Sequence, residues 1–243
     1  MRDTLMPQNG SRSSASWTIE GEFDYVGKFF NIEKGFHEPK PLQRPHPPIM
    51  NAGSSGIGAR FAAKHADMAF VGFYEDRLDQ SKAQLAEMRR IGRKDFGREF
   101  QIWTTCRVVC RETEEEARGY EHYYIYEKGD FGAVETIITE QGRKDPTMSP
   151  EAYERMKARL AAGFGGYPLV GTPAQIVDKL VALTETGIDG VVLSWVNYHE
   201  EMRQWIVEVL PLLEQPACAS RIGQRDTPLR RIRWFEDSSA TRE

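Results

Sequence analysis

Four times along this chain a short apolar run leads into a segment with helical spacing, and no other feature constrains the fold as strongly. Ile49–Ala52 precedes Gly56–His65, and Met68–Phe73 precedes Arg77–Ile91. Phe100–Cys110 precedes a helix beginning in Glu112–Arg118, and Val191–Trp195 precedes Glu200–Leu213. Strands apolar on both faces, each followed by a helix, call for a parallel sheet covered by helices, the α/β class. The helix over 77–91 shows its buried side most clearly, with Leu78, Leu85 and Met88 on one face. Thr113 stands at an N-cap position with acids after it. Thr172 caps a further helix through Leu183, with Pro173 in its first turn, and Gly187-Ile-Asp-Gly190 stops it.

The remaining segments organise around these units. Glu20–Ile32 reads as a short hairpin or loop, and His37–Pro48 holds five prolines in twelve residues, which leaves an extended connector. Tyr120–Tyr167 is helical but broken by Gly129, Gly142, Pro146, Pro150 and Gly163–Gly166. That length exceeds a simple connection and predicts an inserted helical lid. Residues 1–16 are polar and aperiodic and read as a disordered segment, 17–215 as the folded domain, and 216–243 as an Arg-rich tail.

Composition excludes several classes of partner. A net charge of −4 offers neither nucleic acid nor an anionic membrane a basic surface. The longest apolar runs are too short to cross a bilayer, and residues 1–16 lack the apolar stretch of a secretion signal. Cys106, Cys110 and Cys218 are too few and too irregular for a disulfide framework or a metal site, so reduced thiols in a cytoplasmic protein are expected.

Asn51-Ala-Gly-Ser-Ser-Gly-Ile-Gly58 lies between a strand and a helix, where backbone N–H groups and a helix N-terminus can hold a phosphate. Gly53 and Gly56 permit a tight turn, and Ser54 and Ser55 add small hydroxyl donors. On the local string alone, a phosphate site and a ligand-free turn with Ser55 as N-cap stand equal. The Gly-Ile-Gly of this loop also resembles the nicotinamide loop of short-chain dehydrogenases, and Tyr124-Ile-Tyr-Glu-Lys128 supplies their Tyr-x-x-x-Lys spacing. Two features oppose that NAD(P) reading. Gly53 stands one residue too close to Gly56, and Tyr124 falls before enough βα units have passed to build a dinucleotide-binding sheet. A solvated helix face within the lid accounts for Tyr124 and Lys128 better.

Several segments, taken in order, resemble the bacterial-luciferase-like, FMN-dependent monooxygenases. They are Gly21–Phe30, Pro39–Gln43 leading to Pro47–Gly53, Ala62–Asp67, Arg107–Thr113, Leu169–Pro173 and Gly187–Ser194. The resemblance covers roughly residues 20–215 and implies a (β/α)₈ barrel that binds flavin at the C-terminal ends of its strands. It implies reduced FMN as cofactor, supplied by a separate flavin reductase, and a small organic substrate oxygenated with O₂. It also implies that Ala52, Gly53, Ser54 and Ser55 contact the FMN phosphate.

On the substrate side the resemblance to alkanesulfonate monooxygenases breaks down. Where those enzymes present an Arg and a His, this chain has Thr105 and Arg107, and their active-site Tyr corresponds to Val196. The sequence is somewhat nearer to the pyrimidine-oxygenase branch, without specifying a pyrimidine. Thr105 and Arg107 are the substrate candidates. Arg107, in an otherwise apolar strand, is better explained by an ion pair with a neighbouring helix than by a ligand. No acid, base and nucleophile stand together, so no catalytic residue is assigned, as suits chemistry carried by a flavin.

A barrel of this type typically takes about 250 residues and eight βα units. The four units here predict a partial barrel, its C-terminal half, and hence an N-terminally truncated chain. A homo-oligomer is possible. Beside the monooxygenase stand a deazaflavin-dependent oxidoreductase of the same fold, the short-chain dehydrogenase, and an inactive half-barrel.

Overall fold

The computed structural model describes residues 19–27, 31–43, 46–53, 56–73, 77–142, 147–215 and 218. The segments expected at 1–16 and 216–243 lie outside the described residues, apart from Cys218. The first described element is an antiparallel hairpin, β1 (Phe23–Val26) and β2 (Asn31–Gly35). The described residues of the proline-rich connector carry no helix or strand, and a parallel sheet follows.

That sheet contains β3 (Met50–Asn51), β4 (Met68–Phe70), β5 (Gln101–Cys110), β6 (Tyr167–Gly171) and β7 (Gly190–Ser194). β3 pairs with β4, β4 with the start of β5, and β7 with β5 from Trp103↔Gly190 to Arg107↔Ser194, all in parallel. β6 pairs with the end of β5, from Cys106↔Tyr167 to Cys110↔Gly171. β6 was not anticipated, because Pro168 lies inside it and proline in a strand ordinarily argues against one. It flanks only the far half of β5, next to β4 along that strand, so the main order is β3-β4-β5-β7.

A helix follows each expected strand, and several helix ends are set by recognisable caps. α1 (Gly56–His65) follows β3, and α2 (Leu78–Phe96) follows β4. α2 runs five residues past its expected end to Gly97, which adopts φ 63° and donates its N–H to the Arg93 carbonyl. α3 (Glu114–His122) and α6 (Pro173–Glu185) both open with capping boxes, Thr113 with Glu116 and Thr172 with Gln175. Between them lie a π-helical stretch at Tyr123–Glu127, then α4 (Phe131–Glu140) and α5 (Pro150–Ala161). The chain closes with α7 (Tyr198–Gln204), a second π-helical stretch at 205–209 and α8 (Leu210–Leu213), which together form one continuous helix.

One face of the sheet carries the core. Ala69, Val71 and Phe73 continue from β4, and Ile102, Cys106 and Val108 of β5 alternate with residues of the other face. They pack on Ala62 and Ala63 of α1, Leu85 and Met88 of α2, Ile176 and Leu183 of α6, and Trp205 and Val209 of the closing helix. The alternation puts Trp103, Thr105 and Arg107 on the opposite face, where they are only half-buried. Met50 and Val192 are exposed. Among the described residues, β3 and β7 each have a partner on one side only, and no helix is long and apolar enough to cross a membrane.

Candidate functional site

The loop after β3 is shaped by side-chain and backbone contacts that need its glycines. The Asn51 side chain turns back to accept the Gly53 N–H at 2.8 Å. Gly53 and Gly58 then meet backbone to backbone. A methyl on Gly53 would lie 2.8 Å from the Gly58 Cα, and one on Gly58 would lie 2.7 Å from the Gly53 Cα. The turn therefore presses against the first turn of α1, which has no acidic residue to neutralise its positive end. Ala52 is exposed, and a Cβ at Gly56 would meet nothing within 4 Å among the described residues beyond its chain neighbours. Ser54 and Ser55 lie outside the described residues. Asp67 braces the strand below by accepting the Ile49 N–H at 2.9 Å.

Arg107 sits on the second sheet face beneath the π-helical stretch. Its guanidinium forms an ion pair with Glu121 at the end of α3 and donates to the Tyr124 hydroxyl at 3.0 Å. That hydroxyl donates in turn to the Ala162 carbonyl at 3.2 Å. The pair is largely withdrawn from water, and Gly163 packs against the Arg107 stem. Burial raises the Tyr124 pKa, and the Arg107 charge opposes the rise. Tyr124 is thus half-buried and bonded, whereas Lys128 is exposed. The expected solvated face holds for the lysine and not for the tyrosine. Thr105, one pleat below Arg107, reaches the Val192 carbonyl at 3.4 Å.

A second polar cluster marks the C-terminal ends of β5 and β7. Arg111 lies over the Tyr120 ring at 4.0 Å and pairs with buried Glu201 at 2.9 Å. Glu201 also accepts the Asn197 N–H at 2.9 Å at the start of α7. These residues line a shallow groove of about 460 Å³. Another, of about 570 Å³, lies between the π-helical stretch, α4 and α5. Sequence reasoning passed over Arg111 and Glu201. Their one sequence signal is position, an arginine directly after one strand and an acid in the first turns of the helix after another.

The two buried thiols are held protonated. Burial pushes Cys106 up to about 12 and Cys110 up to about 11, the latter with help from Glu208. Cys106, Cys110 and Cys218 are free, and no group of three or more His, Cys, Asp or Glu among the described residues could hold a metal.

Comparison with known proteins adds to this geometry. The sequence model of the luciferase-like monooxygenases matches residues 14–190. An FMNH(2)-dependent dimethylsulfone monooxygenase of Pseudomonas putida is 30% identical over 204 residues, which cover 82% of this chain and 55% of that one. The chain spans a little over half the length of the curated relatives it matches. Two solved structures share the fold, each with a TM-score of 0.63. They are riboflavin lyase with modified FMN and riboflavin, at 20% identity, and a long-chain alkane monooxygenase, at 22%. Both matches cover 85% of this chain, with 54% of the first protein and 52% of the second.

Proposed function

The chain belongs to the luciferase-like monooxygenase family, and from that premise we propose that it forms the phosphate-holding part of a reduced-FMN-dependent monooxygenase. The observation that supports the reading is the Gly53–Gly58 contact, a backbone approach at the turn into α1 that only glycine allows. The residues fit a flavin phosphate. Ala52 and Gly53 would offer backbone at the turn, Ser54 and Ser55 would offer hydroxyls, and the α1 N-terminus would offer its unneutralised dipole. When bound, reduced FMN supplies two electrons with which O₂ gives one oxygen atom to the substrate and one to water.

The chain's own residues bind and orient. In this reading β3, β4, β5 and β7 are one arc of an eight-stranded barrel, with the flavin end at the C-termini of the strands. The π-helical stretch with α4 and α5 acts as a lid over that end and excludes water. Arg107, with Glu121 and Tyr124, holds the lid base to β5, and Thr105 faces the same side of the sheet. Both are candidates to contact substrate when the lid moves. The activity of the Pseudomonas relative makes a small sulfur-containing or similarly compact organic molecule the leading substrate class, and it favours FMN over a deazaflavin. A separate flavin reductase would deliver the reduced cofactor. A cytoplasmic setting fits the free, buried thiols of Cys106 and Cys110.

The test is a fluorescence titration of FMN with this chain and with its Ser55→Ala variant. Loss of one hydrogen bond to a charged phosphate is worth about 1.5–3 kcal/mol, so the variant should bind at least about tenfold more weakly. Binding of NADP with no response to FMN would replace the flavin reading with the dehydrogenase.

A further inference from the structure

Two ion pairs with a buried acid flank β7, Arg89–Asp189 at its start and Arg111–Glu201 beyond its end. The second lies at the end of the sheet where the barrel reading places substrate. We propose that Arg111 and Glu201 are positioning residues for that reaction, setting the turn at 195–197, between β7 and α7, against the ends of β5 and β6. The inference rests on the functional reading above, and amide exchange tests it apart from turnover.

The cap of α7 departs from the pattern used elsewhere in the chain. In α3 and α6 the third helical residue bonds back to the N-cap amide, Glu116 to Thr113 and Gln175 to Thr172. In α7 the third residue is Glu200, and its carboxylate accepts from the Asn197 side-chain amide instead, at 2.9 Å. The Asn197 N–H goes one residue further, to the Glu201 Oε2 at 2.9 Å. The Glu201 Oε1 accepts from the Arg111 Nη2, also at 2.9 Å. The helix cap is thereby bonded to a residue 90 positions away, at the end of another strand.

Arg111 is itself fixed. Its N–H donates to the Gly171 carbonyl at the end of β6, at 3.2 Å, and its Nη1 donates to the Cys110 carbonyl at 2.6 Å. Its guanidinium lies 4.0 Å from the centre of the Tyr120 ring. One run of bonds therefore joins the C-terminal ends of β5 and β6 to the turn after β7. The Glu201 side chain is 7% exposed, and a buried ion pair seldom stabilises more than apolar side chains of the same volume. What the pair supplies is placement. Loops at the C-terminal ends of barrel strands carry the substrate contacts, and side chains there must stand within about 0.5 Å of their working positions. Val196, in the middle of the turn, takes its position from Asn197 beside it.

Amide hydrogen exchange on the full chain, without cofactor, reads the turn directly. Glu201→Ala should speed exchange of the Asn197 amide at least about tenfold, as for loss of one hydrogen bond to a charged group. Arg111→Met should speed it too, because Glu201 without its counter-charge turns out to water. Glu201→Gln keeps the volume and one acceptor, so its exchange should be intermediate, and it serves if the alanine variant does not fold. Turnover of dimethyl sulfone, the substrate of the Pseudomonas relative, with reduced FMN separates positioning from stability. Followed by loss of the methyl signal in NMR, Glu201→Ala should raise KM by about ten- to hundredfold, the scale on which a misplacement of about 1 Å is felt. Asp189→Ala breaks the pair at the other end of β7, and should lower the yield of active protein while leaving KM unchanged. Unaltered exchange at Asn197 in Glu201→Ala would overturn the proposal. So would a KM that stays the same there, or that rises equally in Asp189→Ala. A wild-type chain that does not consume dimethyl sulfone, with exchange as expected, would contradict the functional reading and uphold the coupling of Glu201 to the turn.

Discussion

Asp189 ties the start of β7 to the sheet, and removing it should cost more than any surface change. Its Oδ2 accepts the Arg89 Nη2 at 2.7 Å and the Ile102 N–H at 2.7 Å. Arg89 also donates to the Gly187 carbonyl at 2.7 Å, so three segments distant in sequence meet at one ion pair. The Asp189 side chain is 7% exposed and that of Arg89 is 19%. Breaking a buried pair by deleting one partner costs about 3–5 kcal/mol, because the other charge is left without compensation. Arg89 would keep two carbonyl partners and some water, so the lower end applies and Asp189→Ala should lose about 3 kcal/mol. For a chain of this size that corresponds to a fall of about 6–12 °C in melting temperature. Asp189→Asn keeps an acceptor for Ile102 and should lose less.

Thermal and urea unfolding followed by circular dichroism give these values. A double variant with Arg89→Met separates the pair from its surroundings. Once the guanidinium is gone there is no stranded charge, so the double change should cost at least about 1 kcal/mol less than the sum of the singles. A loss under about 0.5 kcal/mol for Asp189→Ala, or strict additivity, would show that the pair does not hold β7 to the sheet.

The other predictions concern the loop, the Arg107–Glu121 pair and the thiols. Gly58→Ala forces a methyl against Gly53 and should destabilise by about 1–3 kcal/mol while abolishing FMN binding; calorimetry and a flavin titration check both. Glu121→Gln leaves Arg107 without its counter-charge, and proteolysis of the 123–166 region should accelerate; an unchanged cleavage rate would contradict a role for this pair in holding the region to β5. Cys106 and Cys110 should resist iodoacetamide at pH 8 in the native state and react on unfolding. Their folded pKa values lie above those of unfolded thiols, so the folded state keeps protons that the unfolded state releases. Stability from this source is complete below about pH 8.5 and falls as pH rises toward 11 or 12. Cys106→Ala should flatten that fall in pH-dependent melts.

What sequence reveals and what it hides divides along the range of the interaction. Thr113, Thr172 and Gly97 set helix ends through bonds spanning a few residues, and the first two were legible as caps. α2 ran past its expected end because apolar spacing fades before the glycine that stops it. Asp189 reads locally as a turn residue, and its role depends on Arg89 and Ile102, far away in sequence. β6 was hidden by Pro168 and becomes a strand because β5 offers it an edge. At the candidate site the loop residues could be named, but the fit of Gly53 against Gly58 is a contact between two backbones that no residue pattern prints. Arg107 shows the same limit from the other side: its charge demanded a partner, and only the fold identifies Glu121.

The central claim is that the loop after β3 recognises the phosphate of a flavin. Parallel titrations of this chain with FMN and with riboflavin, which differ by that phosphate, test it most directly. Saturable quenching of FMN fluorescence is expected, with riboflavin binding at least about tenfold weaker, the minimum for losing one charged hydrogen bond. Equal affinity for the two, or riboflavin binding with no preference for FMN, would contradict it.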